Sequence, residues 1–175
     1  PRGAVNAPTL GAGLAGNVTN MTVANSYWDV QTTGHSVGAG NGAIGTGLTT
    51  AEARLASSYA GFDFDGTWFQ SGDMRPIGRW EANPAGADAR IAVDNLHQLQ
   101  LIQIANNKTY YLTRDLDASA TAGIDAAGVW GATGFRPLTS SNFDGRSHSI
   151  TGLTINLPSV DNVGLFGSIL ANYWV

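Results

Sequence analysis

The chain has 175 residues, enough for one ordinary domain or several stacked repeats. Charged residues make up 13% and glycine contributes 23 residues, whereas about 25% charged residues and about 7% glycine are usual; few charges and many turns are typical of an extracellular β protein. The net charge of −4 argues against a surface for nucleic acid or anionic lipid, and the lack of cysteine excludes disulfides, thiolate metal sites and a cysteine nucleophile.

The first part of the chain predicts short strands, a loop and a helix. Gly11 to Val30 contains brief apolar pairs separated by Gly and Asn, which indicates short strands and tight turns. Residues 33–47 are so rich in glycine that we predict a surface loop. Thr49 and Glu52 match a capping box, which predicts a helix that ends at Gly61.

An aromatic segment and a polar segment follow. Asp63 and Asp65 lie among several aromatic side chains. These are Phe62, Phe64, Trp68 and Phe69. Residues 82–87 are rich in Ala, Asn, Pro and Gly, so we place the internal boundary there and treat residues 1–80 and 81–175 as two blocks.

The second block predicts one helix and several strands. Asp94 can cap a helix over about residues 94–105, in which Leu and Ile recur at helical spacing. Residues 109–112 predict a strand. Apolar and polar side chains alternate within residues 149–157, which predicts a strand with one buried face.

Three sets of residues carry signatures. They are Asn25-Ser26-Tyr27-Trp28-Asp29 with Thr46-Gly47-Leu48-Thr49-Thr50, then Phe143-Asp144-Gly145-Arg146-Ser147-His148-Ser149-Ile150, and Asp161-Asn162-Val163-Gly164-Leu165-Phe166-Gly167. Together they resemble GLUG-motif proteins, including filamentous-haemagglutinin-like adhesins. In that family the first set closes a block of stacked coils, the second opens one, and the Gly-Leu-Phe-Gly pattern of the third repeats along it. The resemblance therefore implies the closing part of one block within residues 1–80 and the opening part of the next within 81–175.

The resemblance implies a mainly β fold in which β-solenoid coils, like those of a right-handed β-helix, are joined by Gly-rich loops and two short α-helices. In such a fold the inward apolar side chains of each coil stack on the next coil, and Gly and Asn occupy the corners. The Gly and Asn content of the chain suits those corners.

One candidate site is a metal site. Asp115, Asp117 and Asp125 place oxygen ligands within one short stretch of chain, which is the donor type that a hard cation such as Ca²⁺ accepts. The EF-hand pattern of a central Gly and a terminal Glu does not follow. We expect no other cofactor.

Aromatic side chains supply a second candidate site. Trp68, Trp80 and Trp130 are candidates either for stacking on sugar rings or for packing inside the fold. A carbohydrate-active enzyme would instead need an acid and a base. Asp63 and Asp65 alternate along a possible strand and would share one face, so they are the candidates, with Arg75 as the third member of the cluster. That alternative depends mainly on analogy with other β-helix proteins.

The last residues are a candidate assembly surface. The chain ends in an apolar run, which we interpret as part of a longer protein. The candidate assembly residues are Leu170, Tyr173, Trp174 and Val175. End coils of a repeat protein need a cap, so this run is expected to pack on a neighbouring unit.

Three Asn-x-Thr triplets begin at Asn17, Asn20 and Asn107, and each matches the acceptor pattern for N-glycosylation. In a chain rich in Asn and Thr such matches are expected partly by chance.

These observations predict a non-enzymatic, structural and adhesive segment of a large secreted fibre at the bacterial cell surface or in the extracellular space. It would assemble by end-to-end packing of β coils. The expected partners are copies or adjacent repeats of the same protein and host or matrix glycans. Nucleic acid is not an expected partner, and membrane insertion is not expected because no apolar run approaches the ~18 residues of a membrane helix. The alternatives are a glycan-binding module and a β-helix carbohydrate-active enzyme.

Overall fold

Strands of two to four residues are the main regular elements of the chain, as seen in a computed structural model that describes residues 2–139 and 142–169. Contacts divide the chain into two units. The first contains residues 1–64 and 125–128, and the second contains residues 65–124 and 129–175. The boundary at residues 80/81 was inferred for sequence blocks rather than spatial units, and it stays a prediction.

The first unit is centred on a pair of parallel strands. Its elements are β1 (Tyr27–Asp29), α1 (Val30–Thr33), β2 (Thr46–Leu48) and two 3-10 helices at Glu52–Arg54 and Ala56–Ser58. β1 and β2 pair in register from Tyr27 opposite Thr46. Gly47 of β2 lies so close to the indole of Trp28 that a Cβ at this glycine would be 2.9 Å from a ring carbon. The two halves of the first signature therefore pack against each other.

A buried carboxylate joins these elements. Asp29 is 1% exposed, and its Oδ1 accepts hydrogen bonds from the backbone N–H groups of Gln31 and Thr32 at 3.0 Å, which caps α1. The Thr50 hydroxyl donates to Asp29 Oδ2 at 2.9 Å. Asp29 therefore fixes both the start of the helix and the chain that follows β2.

The predicted helix after Thr49 is wrong, because the segment forms two 3-10 helices. The capping contacts that motivated the prediction are present: Thr49 N donates to Glu52 Oε2 at 2.8 Å, and Glu52 N donates to Thr49 Oγ1 at 3.2 Å. Leu55, which separates the two 3-10 helices, has an extended backbone with φ −114° and ψ 123°. The capping box therefore begins a helical turn, and the extended backbone of Leu55 ends it.

The second unit contains most of the regular structure. Its strands are β3 (Trp68–Phe69), β4 (Ile77–Gly78), β5 (Arg90–Val93), β6 (Thr109–Leu112), β7 (Leu116–Asp117), β8 (Asn142–Asp144) and β9 (Ile150–Thr151). Its helices are α2 (Leu96–Leu101) and 3-10 helices at Arg79–Glu81, Ile102–Ile104 and Ser119–Ala122. The strand predicted at residues 109–112 is confirmed as β6.

The described residues of this unit form three small sheets. β3 and β4 are antiparallel, whereas β5-β6-β8 and β7-β9 are parallel. The inner face of the three-stranded sheet carries Val93, Tyr110, Leu112 and Phe143, which are buried in the core. The predicted strand at residues 149–157 is regular only at Ile150–Thr151, and Leu153 and Ile155 pack against the same core. The mainly β class is thus partly confirmed.

The β-solenoid prediction is wrong: in the described part of the chain, the sheets have two or three strands and none is closed or continuous as in a solenoid. One physical reason lies at the outer edge of β5. Gly86 N donates to Arg90 O at 2.8 Å, and Asn83 Nδ2 donates to Ala92 O at 3.0 Å. These contacts occupy the outer edge of β5, where a further stacked strand would have to pair.

The predicted helix near residues 94–105 is confirmed in position but is shorter, and its cap is one residue later. Asn95, not Asp94, is the N-cap, since Asn95 Oδ1 accepts from Gln98 N at 3.0 Å. Gln98 Oε1 in turn accepts from Asp94 N at 2.7 Å. The α-helix ends at Leu101 and continues as a 3-10 turn to Ile104.

Amide side chains on this helix hold a neighbouring loop. Gln100 is fully buried; its Nε2 donates to Arg136 O at 3.0 Å, and its Oε1 accepts from Arg136 N at 3.0 Å and Trp130 Nε1 at 3.3 Å. Three residues further on, Gln103 Nε2 donates to Pro137 O at 2.8 Å. Residues three apart lie on one helix face, so both amides reach the same loop.

We expect Gln100→Leu to lower the free energy of unfolding of the second unit by about 2 to 4 kcal/mol, because the indole N–H and both polar backbone groups of Arg136 lose buried partners. Gln103→Leu removes a single bond and should cost about 1 kcal/mol. Urea unfolding followed by tryptophan fluorescence measures both. Equal effects of the two substitutions would contradict this account of Gln100.

Candidate functional site

Trp68 and Trp80 form an aromatic pair at the surface of the second unit. Their ring centroids are 4.9 Å apart with the planes at 75°, an edge-to-face arrangement. Trp80 is 63% exposed, and Trp68 is half-buried. A large part of one indole is therefore available to a ligand.

The backbone around this pair explains its position. β3 pairs with β4 so that Trp68 lies opposite Gly78, and the following 3-10 helix carries Trp80. A Cβ at Gly78 would lie 2.3 Å from the Trp80 ring, so a residue without a side chain is required beneath the indole. The Glu81 carboxylate accepts from Gly78 N at 2.9 Å and lies 2.5 Å from His97 Nδ1, which ties this turn to α2.

Trp130, the third candidate aromatic, is a packing residue. It is 3% exposed, and its Nε1 donates to Gln100 Oε1 at 3.3 Å. The structure therefore brings Trp68 and Trp80 together at the surface and places Trp130 in the core. Sequence spacing gave no means of separating these cases.

Each candidate calcium ligand accepts a hydrogen bond from a backbone N–H group. Asp115 Oδ1 accepts from Ser149 N at 2.7 Å, and Asp117 Oδ1 accepts from Ser119 N at 2.9 Å. Asp125, which belongs to the first unit, accepts from Ala127 N at 2.9 Å. Within residues 2–139 and 142–169, no group of three or more acidic or histidine side chains is arranged to hold a metal ion. The calcium site stays a prediction, which calcium-dependent melting would check.

The hydrogen bond from Ser149 N lowers the pKa of the Asp115 carboxyl from its ordinary value of 3.8. The bond from Ser119 N lowers the pKa of Asp117 in the same way. Both carboxylates are exposed, so solvent screens their individual effects. The direction of the shift nevertheless fixes how they act on stability as the pH changes.

We expect the stability supplied by Asp115 and Asp117 to be complete above their ordinary pKa and to be lost as the pH falls through their lowered folded-state values. Below the ordinary pKa, the unfolded chain binds these protons more readily than the folded one. The Tm difference between the wild type and an Asp115→Asn, Asp117→Asn double variant should therefore shrink between neutral pH and about pH 3. A difference that is independent of pH would contradict the assignment.

Sequence reasoning missed a polar patch on the outer face of the three-stranded sheet. The guanidinium carbon of Arg146 lies 3.7 Å from the centroid of the Tyr111 ring, and that of Arg90 lies 5.3 Å from it. Asp144 Oδ2 lies 3.7 Å from Arg90 Nη1 and 3.8 Å from Arg146 Nε. Both cations thus have an acidic partner, and these contacts stabilise the pairing of neighbouring strands. Tyr111 and Asp144 are neighbours because β6 and β8 pair in this register, so the patch could not be recognised from the sequence.

The remaining candidates have different outcomes. Asp63 and Asp65 lie in irregular backbone, so the alternation along a strand that motivated an acid–base pair does not apply. Arg75, the third member of that candidate cluster, is 5% exposed. The assembly candidates Leu170, Tyr173, Trp174 and Val175 lie outside the described residues.

Among the residues that the structure describes, none belongs to a helix long and apolar enough to cross a membrane.

Part of the chain is similar in sequence to a known protein. The chain is 37% identical over 90 residues to halomucin from Haloquadratum walsbyi, a match that covers 44% of this chain and 1% of halomucin. No protein-family model matches, and no solved structure does. The resemblance to GLUG-motif adhesins is therefore not supported by a family match.

Proposed function

We propose that the chain is a non-catalytic, structural segment of a large cell-surface or extracellular protein. The partial match to halomucin supports the cell-surface or extracellular location. The match covers 1% of halomucin, so it supports the location alone and not an activity. The low content of charged side chains agrees with an extracellular protein.

The use of the buried polar side chains supports a structural role. Thr33 Oγ1 donates to Asp29 O at 2.6 Å, and Thr121 Oγ1 donates to Ala118 O at 2.6 Å. Gln100 and the Asp29 carboxylate likewise bind backbone groups. These side chains stabilise turns and helix ends, which is their ordinary function in a scaffold.

Self-association, or packing on adjacent repeats, remains part of the proposal. Stacking of solenoid coils does not, because the fold that it required is not the one observed. We expect contacts between copies or repeats to use side chains or edges other than the carbonyls of Arg90 and Ala92 on β5, which already accept hydrogen bonds.

Antibody labelling of intact cells of the source organism tests the location. We expect an antibody raised against the purified chain to label unpermeabilised cells or the material shed from them. An antibody to a cytoplasmic protein is the matched control and should label only permeabilised cells. Labelling of our protein only after permeabilisation would overturn the proposal.

A second candidate function is glycan binding without catalysis, and the exposed Trp80 favours it. An indole with a free face can stack on the C–H groups of a sugar ring, and the edge-to-face contact with Trp68 fixes the orientation of Trp80. This candidate is compatible with a structural segment, since an adhesive surface needs no catalytic group.

For glycan binding, we expect Trp80→Ala to weaken affinity about three- to tenfold, because the stacking surface is lost. Trp80→Phe should retain part of the affinity. Ile124→Ala is the matched control, since Ile124 is 90% exposed in the same unit. A glycan array followed by calorimetry on the selected sugar gives the measurement. Equal binding by wild type and Trp80→Ala would exclude this site.

A further inference from the structure

An exposed, irregular segment of the first unit carries two consecutive Asn-x-Thr triplets. Residues 16–25 contain neither strand nor helix, and eight of these ten residues are exposed while the other two are half-buried. The triplets are residues 17–19 and 20–22, directly adjoining each other. An acceptor for N-glycosylation needs an accessible asparagine in a surface loop, and this segment provides two.

Asn17 and Asn20 differ from asparagines that serve the fold. Many asparagine side chains make structural hydrogen bonds. Examples are Asn41, Asn83, Asn95, Asn106 and Asn156. By contrast, in the part of the chain that the structure describes, the exposed amides of Asn17 and Asn20 have no hydrogen-bond partner. Modification of either amide would therefore break no contact of the folded unit.

The backbone between the two asparagines is anchored. Asn41 Nδ2 donates to Val18 O at 2.7 Å, and Val18 N donates to Asn41 Oδ1 at 2.9 Å. Asn20 has φ +50°, in the left-handed region that asparagine adopts more readily than most residues. The segment is thus held at Val18 and turns at Asn20, while both acceptor amides remain exposed.

We propose that Asn17 and Asn20 are attachment sites for N-linked glycans. The co-reactant is a sugar activated as a lipid-linked diphosphate. A bond forms between Asn Nδ2 and the anomeric carbon, the bond from that carbon to the diphosphate oxygen breaks, and the diphosphate leaves with the electron pair. The amide loses one proton to solvent or to a base of the transferase.

The third triplet provides an internal comparison. Asn107 is exposed, but Thr109 is the first residue of β6 and pairs in register with Arg90 on one side and Asn142 on the other. A transferase that binds the triplet would have to displace this strand. Glycan is therefore expected at Asn17 and Asn20 and not at Asn107.

Mass spectrometry of the chain purified from its source organism tests the proposal. Trypsin cleaves after Arg2, Arg54, Arg90 and Lys108, so peptide 3–54 contains both proposed acceptors and peptide 91–108 contains Asn107. We expect a hexose-containing adduct on peptide 3–54 and an unmodified peptide 91–108. An unmodified peptide 3–54, or glycan confined to Asn107, would overturn the proposal.

Variants expressed in the same organism assign the sites without altering the turn at Asn20. Thr19→Val with Thr22→Val removes both acceptor patterns and should abolish the adduct on peptide 3–54, whereas Thr22→Ser should retain it at Asn20. Thr9→Val, an exposed threonine outside any triplet, is the control and should leave the adduct unchanged. An adduct that persists in the Thr19→Val, Thr22→Val variant would show attachment elsewhere and contradict the proposal.

Discussion

The structure depends on side chains that bind backbone groups, because its strands are too short to satisfy the backbone by themselves. A strand of two to four residues pairs few N–H and C=O groups, and the chain between strands must find other partners. Asp29 supplies them at the start of α1, and Gln100 supplies them to the loop at Arg136. Removal of such a side chain leaves several buried groups unpaired at once.

This dependence engages polar side chains in hydrogen bonds within the fold. A carboxylate that accepts two or three hydrogen bonds is held in one orientation, and the bonds favour its ionised form. Asp94 illustrates this, since its carboxylate accepts from the Thr113 hydroxyl and from Asn83 Nδ2. By contrast, the indole of Trp80 and the side-chain amides of Asn17 and Asn20 are exposed.

Local patterns were more informative than the overall resemblance. The strand at residues 109–112 and the position of α2 followed from short-range spacing, which depends on which face of an element is buried. The capping residues Thr49 and Glu52 make their predicted contacts, although the turn they begin is 3-10. The solenoid prediction was wrong because a solenoid requires continuous stacking of strands. The sequence did not show that residues 83–86 cover the edge of β5.

The candidate sites were harder to predict, since exposure is a property of tertiary structure. Trp80 and Trp130 are the same residue type, yet one is 63% exposed and the other 3%. Tyr111 and Asp144 are far apart in sequence and meet only through the register of β6 and β8. A sequence motif can therefore indicate candidate residues for a site, but burial in the folded chain determines which of them a ligand can contact.

Glycine in the predicted surface loop at residues 33–47 permits close packing of the backbone. A Cβ at Gly38 would lie 1.9 Å from the carbonyl oxygen of Ile44, and one at Gly40 would lie 2.5 Å from that of Gly16. Ala39 between them is 1% exposed, so this segment is packed, backbone against backbone. The chain also has few charged residues, at 13%, and it exposes apolar side chains such as Met21, which is 66% exposed. Glycans at Asn17 and Asn20, which closely precede Met21 in the sequence, would supply the hydration that charged side chains supply in most proteins.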